Sequence, residues 1–276
     1  MDKLEAKLES KFKQTLNKIK ISKKSKIIVA LSGGKDSSVV AYLLKRFGYD
    51  IEGFHIDLKI GKYSEECLKK VEELCEMLNI RLHLYDVKKE MGSGMCYLRS
   101  AIQEKHKGEI KNCAICGVIK KWILNKAVRG LKADYIATGH NLDDEAQTFL
   151  INILKGSPEL SANSGAITKN LSDKKFIPRI KPLFYIAEKD IKSYSKKKKL
   201  PVNYEKCPCA LDSYRIQVRK FLEKTSTKQK ENIINNLERV SSKIKKINIS
   251  VLKYCERCGE PSRGNICRKC RLMDIC

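Results

Sequence analysis

Apolar, largely β-branched residues gather along this chain in short runs, Ile27 to Leu31, Ile51 to Ile56, Arg81 to Tyr85 and Tyr135 to Thr138, each bounded by polar or glycine-bearing segments. Such runs predict strands. Between them, apolar positions recur at helical spacing over Ser37 to Phe47, Ser64 to Leu78, Ile115 to Ala127 and Asp143 to Leu154. Strand and helix alternating at this interval predict an α/β fold, a doubly wound parallel sheet covered by helices. Ahead of it, Leu4, Leu8, Phe12, Leu16 and Ile19 stand among lysines as one stripe of an amphipathic helix, so residues 1–24 read as a lysine-rich helical segment. The expected organisation continues with one domain over 25–225, a helical connection over 226–253 and a cysteine module over 254–276. Gly156 to Asp173 is polar and weakly patterned, which predicts a mobile loop.

At 276 residues the chain can bury an ample core without disulfides. It carries no apolar leader and no apolar run long enough for a membrane span, so the expectation is a cytoplasmic protein with no membrane contact. In that reducing compartment twelve cysteines point to metal or sulfur chemistry, the more so because eight of them are closely paired: Cys113 with Cys116, Cys207 with Cys209, Cys255 with Cys258 and Cys267 with Cys270. Cys67, Cys75 and Cys96 stand apart and read as buried small hydrophobes. The formal net charge is +25, from 57 basic against 32 acidic side chains, and lysines crowd into Lys3 to Lys26, Lys196 to Lys199 and Lys220 to Lys253. That imbalance favours a nucleic-acid partner over a merely solvated surface.

The first predicted strand stops at Ser32-Gly33-Gly34-Lys35-Asp36-Ser37-Ser38 and gives way to a helix-forming segment. Two glycines allow close backbone approach to an anion, the amides of a helix start point at it, and the serine hydroxyls add donors. The expected ligand is a polyphosphate. The spacing is not that of the kinase and GTPase loop, because the lysine follows the glycine pair directly. In an open sheet ligands bind beyond the carboxyl ends of the strands. His55-Ile56-Asp57 and Thr138-Gly139-His140 end two further strands, so three segments are expected to face one pocket. After the last of these, Asp143 and Asp144 open a helix. They are placed to complement its dipole, or to hold Mg²⁺ or a reacting group at the pocket rim, and the rim position favours function.

Cys255-x-x-Cys258, eight residues, then Cys267-x-x-Cys270 is the spacing of a closed tetrahedral zinc site, leaving Cys276 as a spare thiol. Cys113-Ala-Ile-Cys116 is half a site, lying before a helix expected to start around Gly117. Its candidate completion is Cys207 in Glu205-Lys206-Cys207-Pro208-Cys209. Three thiolates would hold a 4Fe-4S cluster with one iron open to an external group. A redox disulfide and a zinc site using Cys209 remain as rivals on spacing alone.

In this order, SGGKDS, the HID segment, the central C-x-x-C, GHNLDDEA, Lys206-Cys207-Pro208 and the terminal cysteine ribbon make the chain resemble the tRNA 2-thiouridine synthetases, a thiolase group of the PP-loop ATP pyrophosphatases. The resemblance spans Ser25 to Cys276. It implies a Rossmann-like PP-loop domain with a C-terminal zinc ribbon, and an enzyme that adenylates the C2 oxygen of a tRNA uridine and replaces it with sulfur, releasing AMP and pyrophosphate. By matched position, Ser32, Gly33, Gly34, Lys35, Asp36 and Ser37 would bind the phosphates of ATP with Mg²⁺, and His55, Ile56 and Asp57 would line the adenine side. Gly139 and His140 would complete the pocket. Cys113, Cys116 and Cys207 would ligate the 4Fe-4S cluster, Cys255, Cys258, Cys267 and Cys270 would bind zinc, and Asp144, Lys120 and Asp36 would act in catalysis. The implied partners are tRNA, a sulfur donor (sulfide or a thiocarboxylated ubiquitin-like protein) and a second copy in a homodimer. Where the family usually carries a second zinc module, this chain has its lysine-rich helix, which leaves the docking mode and the modified uridine open. The alternatives are another PP-loop tRNA modifier, of cytidine-thiolating or lysidine type, and a non-catalytic, nucleotide-gated RNA-binding zinc protein.

Overall fold

The computed structural model describes residues 3–161, 164–168, 175–210, 215–247 and 253–273. The chain runs α1 (Lys3–Ile19), β1 (Ile27–Leu31), α2 (Lys35–Arg46), β2 (Ile51–Asp57), α3 (Gly61–Leu78), β3 (Leu82–Asp86), the short α4 (Val87–Met91), α5 (Met95–Lys105), α6 (Asn112–Gly130), β4 (Tyr135–Ala137) and α7 (Leu142–Leu154). A 3-10 turn (Pro158–Ser161) leads to β5 (Ile167–Thr168), β6 (Arg179–Ile180), α8 (Glu188–Lys197), α9 (Arg215–Glu223) and α10 (Thr227–Ile247). The C-terminal module is β7 (Lys253–Tyr254), β8 (Pro261–Ser262) and α11 (Arg268–Met273).

The main sheet has the order β3-β2-β1-β4-β6-β5 and is parallel except for β5, which pairs antiparallel with β6 at the edge. Strand β1 shows why the apolar runs fold this way. Ile27, Val29 and Leu31 point into one core and Ile28 into the other, so every residue of the pleat must be apolar or small. From β1 the chain first winds outward through β2 and β3, then returns to place β4 on the other side of β1. Crevices for ligands form where the winding direction reverses, here beyond the carboxyl ends of β1 and β4.

Helix α1 packs on the body of the main sheet's first core. Leu8, Phe12 and Leu16 are buried in the first core, each worth roughly 1.5–3 kcal/mol of apolar burial. Its buried Glu9 accepts from Arg46 Nη1 at 2.7 Å and from the Tyr194 hydroxyl at 2.8 Å, so the charge enters the interface paired. Within Gly156 to Asp173, read from sequence as a mobile loop, residues 162–163 and 169–173 lie outside the described residues. The described remainder holds the 3-10 turn and edge strand β5, so that part of the expectation is corrected: two-residue pairing is too short to leave a periodic signal. The start of α6 is also corrected. It begins at Asn112 rather than near Gly117, which puts Cys113 and Cys116 on its first turns instead of in a loop before it. No helix among the described residues is long and apolar enough to cross a membrane.

Candidate active site

The phosphate turn is built as the sequence requires. Gly33 adopts a φ of +78°, and a side chain there would meet the Cys67 carbonyl oxygen at 2.8 Å. Gly34 is the N-cap of α2 and has no side chain to cap it, so the first amides of the helix have no side-chain acceptor at the turn. The hydroxyls are organised around this opening. Ser37 Oγ accepts from the Ser32 amide at 3.2 Å and donates to the Gly34 carbonyl at 3.0 Å, while Ser32 stays exposed. Free amides at the positive end of a helix dipole make an anion seat.

Lys35 stands beside it in a cage of two acids, 2.9 Å from Asp36 and 2.8 Å from Glu188. Burial opposes its charge, but those carboxylates outweigh it and raise the Lys35 pKa. Burial raises the pKa of Asp36 against the pull of Lys35, and the nearby Asp144 charge raises it further. Asp144 is itself raised, by burial above all, with Arg215 pulling the other way. Two desolvated carboxylates that repel each other beside an anion seat are arranged to share a cation.

What holds them together is Asn141. Its side-chain oxygen accepts from the Asp144 amide at 3.0 Å as the N-cap of α7, and its Nδ2 donates to Asp36 Oδ1, also at 3.0 Å. Gly139 permits this approach, since a Cβ there would fall 2.7 Å from the Ser37 nitrogen. The neighbouring Asp143 has a different occupation. Its oxygens accept from the Glu188 amide at 2.7 Å and from Lys230 at 2.6 Å, so the paired carboxylates read as one functional set divide into Asp144 at the pocket and Asp143 as a tie to α8 and α10. His140 is exposed. Surrounding protein, together with Lys181, Arg215 and Lys121, pushes its pKa down to about 4.

On β2, His55 Nδ1 donates to the Leu31 carbonyl at 2.9 Å. A carbonyl can only accept, so the proton sits on Nδ1 and Nε2 is left as a lone-pair acceptor. That Nε2 is buried without a partner among the described residues, and burial lowers the His55 pKa. Ile56 is half-buried, and Asp57 is taken by Lys59 at 2.7 Å.

The thiols lie close by. The Asn203 amide donates to the Gly33 carbonyl at 2.8 Å, and the chain that follows brings Cys207 and Cys209 against Cys116. Burial raises the Cys207 pKa, and the charge of Lys120, one turn beyond Cys116 on α6, pulls against it. Cys113 is exposed at the start of the same helix. The three thiols named for one centre do not contract to a single-metal spacing: among the described residues only Cys255, Cys258, Cys267 and Cys270 have ligand atoms all within 4.8 Å of one another. Three thiolates drawn from α6 and from the segment after Asn203 have the donor chemistry of an iron–sulfur cluster. Cys96, read as a buried hydrophobe, proves otherwise. It is half-buried, and Arg99 Nη2 donates both to its sulfur at 3.3 Å and to Cys209 at 3.0 Å. Cys67 and Cys75 are buried. Glu188, Asn203 and the Arg99 bond to Cys209 carried no local signal, because each joins partners across the fold.

In the C-terminal module, Cys258 and Cys267 sulfurs are 3.7 Å apart. Tetrahedral coordination at a Zn–S distance of about 2.3 Å spaces sulfurs by about 3.8 Å, so the four thiols fit zinc as they stand. Amides of Cys267 and Cys270 donate to Cys255 and Cys267 sulfurs at 3.2 and 3.3 Å, the support that thiolate ligands need. Cys276 lies outside the described residues.

A phosphate turn at the carboxyl end of β1, set against acids from the start of α7, defines an ATP-binding PP-loop protein, and the family model of the PP-loop domain matches residues 4–225. The chain belongs to that family, and within it to the tRNA 2-thiolation sulfurtransferases. The tRNA-5-methyluridine(54) 2-sulfurtransferase of Pyrococcus horikoshii is 35% identical over 276 residues, covering 97% of this chain and 84% of its own. The tRNA 2-thiolation protein NcsA of Haloferax volcanii is 33% identical over 270 residues, covering 90% and 81%. Among solved structures, the U34-tRNA thiolase NcsA from Methanococcus maripaludis, described with its 4Fe-4S cluster, superposes with a TM-score of 0.82 at 28% identity over 98% of this chain and 87% of that one.

Proposed function

We propose that this chain is an ATP-dependent tRNA uridine 2-sulfurtransferase, and that Cys113, Cys116 and Cys207 hold a 4Fe-4S cluster that presents sulfur to the activated base. One observation carries the reading. The segment from Asn203 to Cys209 joins the phosphate turn, at Gly33, to the thiols around Cys116 within seven residues, so nucleotide activation and sulfur chemistry share one cleft.

The α2 amides and Lys35 take the phosphates, and Lys35 exchanges its present acid partners for them. Asp36 and Asp144 hold Mg²⁺, which neutralises their mutual repulsion. The orphaned His55 Nε2 accepts a hydrogen bond from the nucleoside side of ATP. Transfer of AMP to the uridine C2 oxygen turns a poor leaving group into a good one and releases pyrophosphate. The cluster, when bound, supplies an open iron for hydrosulfide. Lys120, beside Cys207, is placed to hold negative charge as the oxygen leaves. Zinc closes the ribbon and takes no part in the chemistry. Residues 25–225 form the catalytic unit, flanked by the helical segment 1–24, the connection 226–253 and the ribbon 254–276. Sulfide or a thiocarboxylated carrier supplies the sulfur, and the working form is a homodimer in the cytoplasm.

Anaerobically purified protein, reconstituted with iron and sulfide and given tRNA, ATP and sulfide, should form a thiolated uridine together with AMP. Tracking the nucleoside by mass and the nucleotide by chromatography decides the matter. ADP and orthophosphate as the tRNA-dependent products would sink the assignment.

A further inference from the structure

Part of the lysine excess is already neutralised inside the fold. Lys11 and Lys18 of α1 pair with Glu231 and Glu238 of α10, and Lys197 and Lys198 pair with Glu5. Charge without an acid to meet it collects elsewhere. Between α6 and the ribbon lies an open groove of about 500 Å³. Among the described residues lining it, six are basic, Lys121, Arg179, Arg263, Arg268, Lys269 and Arg271, and one is acidic. That acid, Glu260, is held by Arg129 and by Asn125 Nδ2 at 3.1 Å. Lys121, Arg179 and Arg268 have no ion-pair partner among the described residues. Burial and then the Arg179, Arg215, Lys181 and Arg268 charges push the Lys121 pKa down. A bound polyanion relieves such crowding.

The groove also has an aromatic wall. Trp122 carries the Lys269 ammonium 4.4 Å and the Lys126 ammonium 4.9 Å from its ring centre, and Phe176 lies on the same groove. Trp122 Nε1, Arg179 Nε and Asn125 Oδ1 are buried without a hydrogen-bond partner among the described residues. Cations interleaved with rings suit nucleic acid, with phosphates on the cations and a base on the ring. An acidic polypeptide would use the cations and leave the rings idle.

We infer that this groove binds a nucleotide segment of the tRNA, its phosphates on Lys121, Arg179 and Arg268 and an unpaired base against Trp122. The inference rests on the tRNA reading above and adds a place to it. Lys121 is five residues along α6 from Cys116, about 7.5 Å of helical rise and about 140° round its axis, so the groove lies on a different face of the same helix that carries Cys116. The ribbon thereby gains a purpose beyond its own stability, since it supplies four of the cations.

Trp122 is the single tryptophan of the chain, so its fluorescence reports on the groove alone. Zinc-loaded, anaerobically purified protein is titrated with tRNA while acrylamide quenching is measured, with tRNA binding followed independently by anisotropy. Saturating tRNA should shield Trp122, and ATP alone should not. The variant Lys121→Gln/Arg268→Gln, checked for unchanged zinc content and circular dichroism, should bind tRNA several-fold more weakly. Its log affinity against log salt should flatten by about 0.7–0.9 for each phosphate that the variant no longer neutralises. If tRNA binds but Trp122 stays as quenchable as before, or if the variant keeps the full salt slope, the groove is not the site and the tRNA reading stands. Polyglutamate shielding Trp122 as well as tRNA does would overturn the choice of RNA. Absence of tRNA binding by anisotropy would overturn the functional reading and this inference together.

Discussion

The molecule has two sets of cysteines, and they are assembled in opposite ways. The ribbon thiols, Cys255 to Cys270, come from one short segment and already stand within 4.8 Å of one another. The other set joins the first turns of α6 to Cys207, some ninety residues later in the chain, and stays wider. Connectivity alone nearly closes the first site, whereas packing must deliver the second. The difference also shows in their neighbours. The ribbon sulfurs meet backbone amides and one another, as a closed structural site should, while Cys207 feels the Lys120 charge and Cys116 that of Arg99.

The contrast breaks if the two sets exchange behaviour on mutation. Replacing Cys113, Cys116 or Cys207 by alanine should remove the iron chromophore and lower thiolation by more than about 100-fold while zinc stays bound. Cys258→Ser should do the reverse, releasing zinc and unfolding the ribbon, because such a site supplies roughly 10–16 kcal/mol to its own folding. Metal analysis beside absorption spectra of each variant separates the two. Loss of both metals from any one substitution would mean the centres are not independent.

Next in size are the changes at the nucleotide end. Asp144→Asn should cut turnover by about 100-fold or more with little change in ATP affinity. Lys35→Ala should weaken ATP binding roughly 10- to 100-fold, the equivalent of removing one charge-assisted hydrogen bond. Isothermal titration set against single-turnover rates tells them apart, and an Asp144 variant that simply loses ATP would reassign that carboxylate to binding.

A smaller effect falls on stability. His140 has a folded pKa of about 4 against an ordinary 6.5. Between those values the unfolded chain takes up a proton that the folded one refuses, so stability falls as pH drops from 6.5 towards 4. Urea midpoints for His140→Asn should therefore depend less on pH in that window than those of the unaltered chain. Equal slopes would show that His140 is not held neutral.

The mildest outcome is expected for Cys209→Ala. Arg99 keeps the Met95 carbonyl at 3.3 Å and Cys96 as acceptors, so the cost should stay below about 1.5 kcal/mol and iron should be retained. Iron loss equal to that of Cys207→Ala would replace three ligands by four.

Much of this molecule was written into contiguous stretches of the chain. Ile27 to Ser38 announces strand, turn and helix, because a glycine at φ +78° and a helix start follow one another within a few bonds. The four ribbon cysteines announce a tight four-thiol cluster for the same reason. Where capping chemistry was missing, the reading slipped: Lys111 at the N-cap of α6 has no capping side chain, so nothing local marked the helix as starting before Cys113. Pairing of the acids went the same way. Asp143 and Asp144 are adjacent in sequence, yet only the fold shows one tied to α8 and α10 and the other turned toward Asp36.

By itself, then, the sequence determined the elements, the phosphate turn, the ribbon and the excess of positive charge, all of which depend on residue type and short spacing. Tertiary structure alone decided that Asn141 ties Asp36 to Asp144, that Glu188 cages Lys35, that Arg99 bridges two thiols, and that part of the lysine runs is spent on internal pairs while the ribbon groove keeps its charge. Each of those arrangements joins residues that stand far apart along the chain. Chain connectivity constrains such distances hardly at all, so they are set only when the sheet order and the helices packed on it bring the partners together.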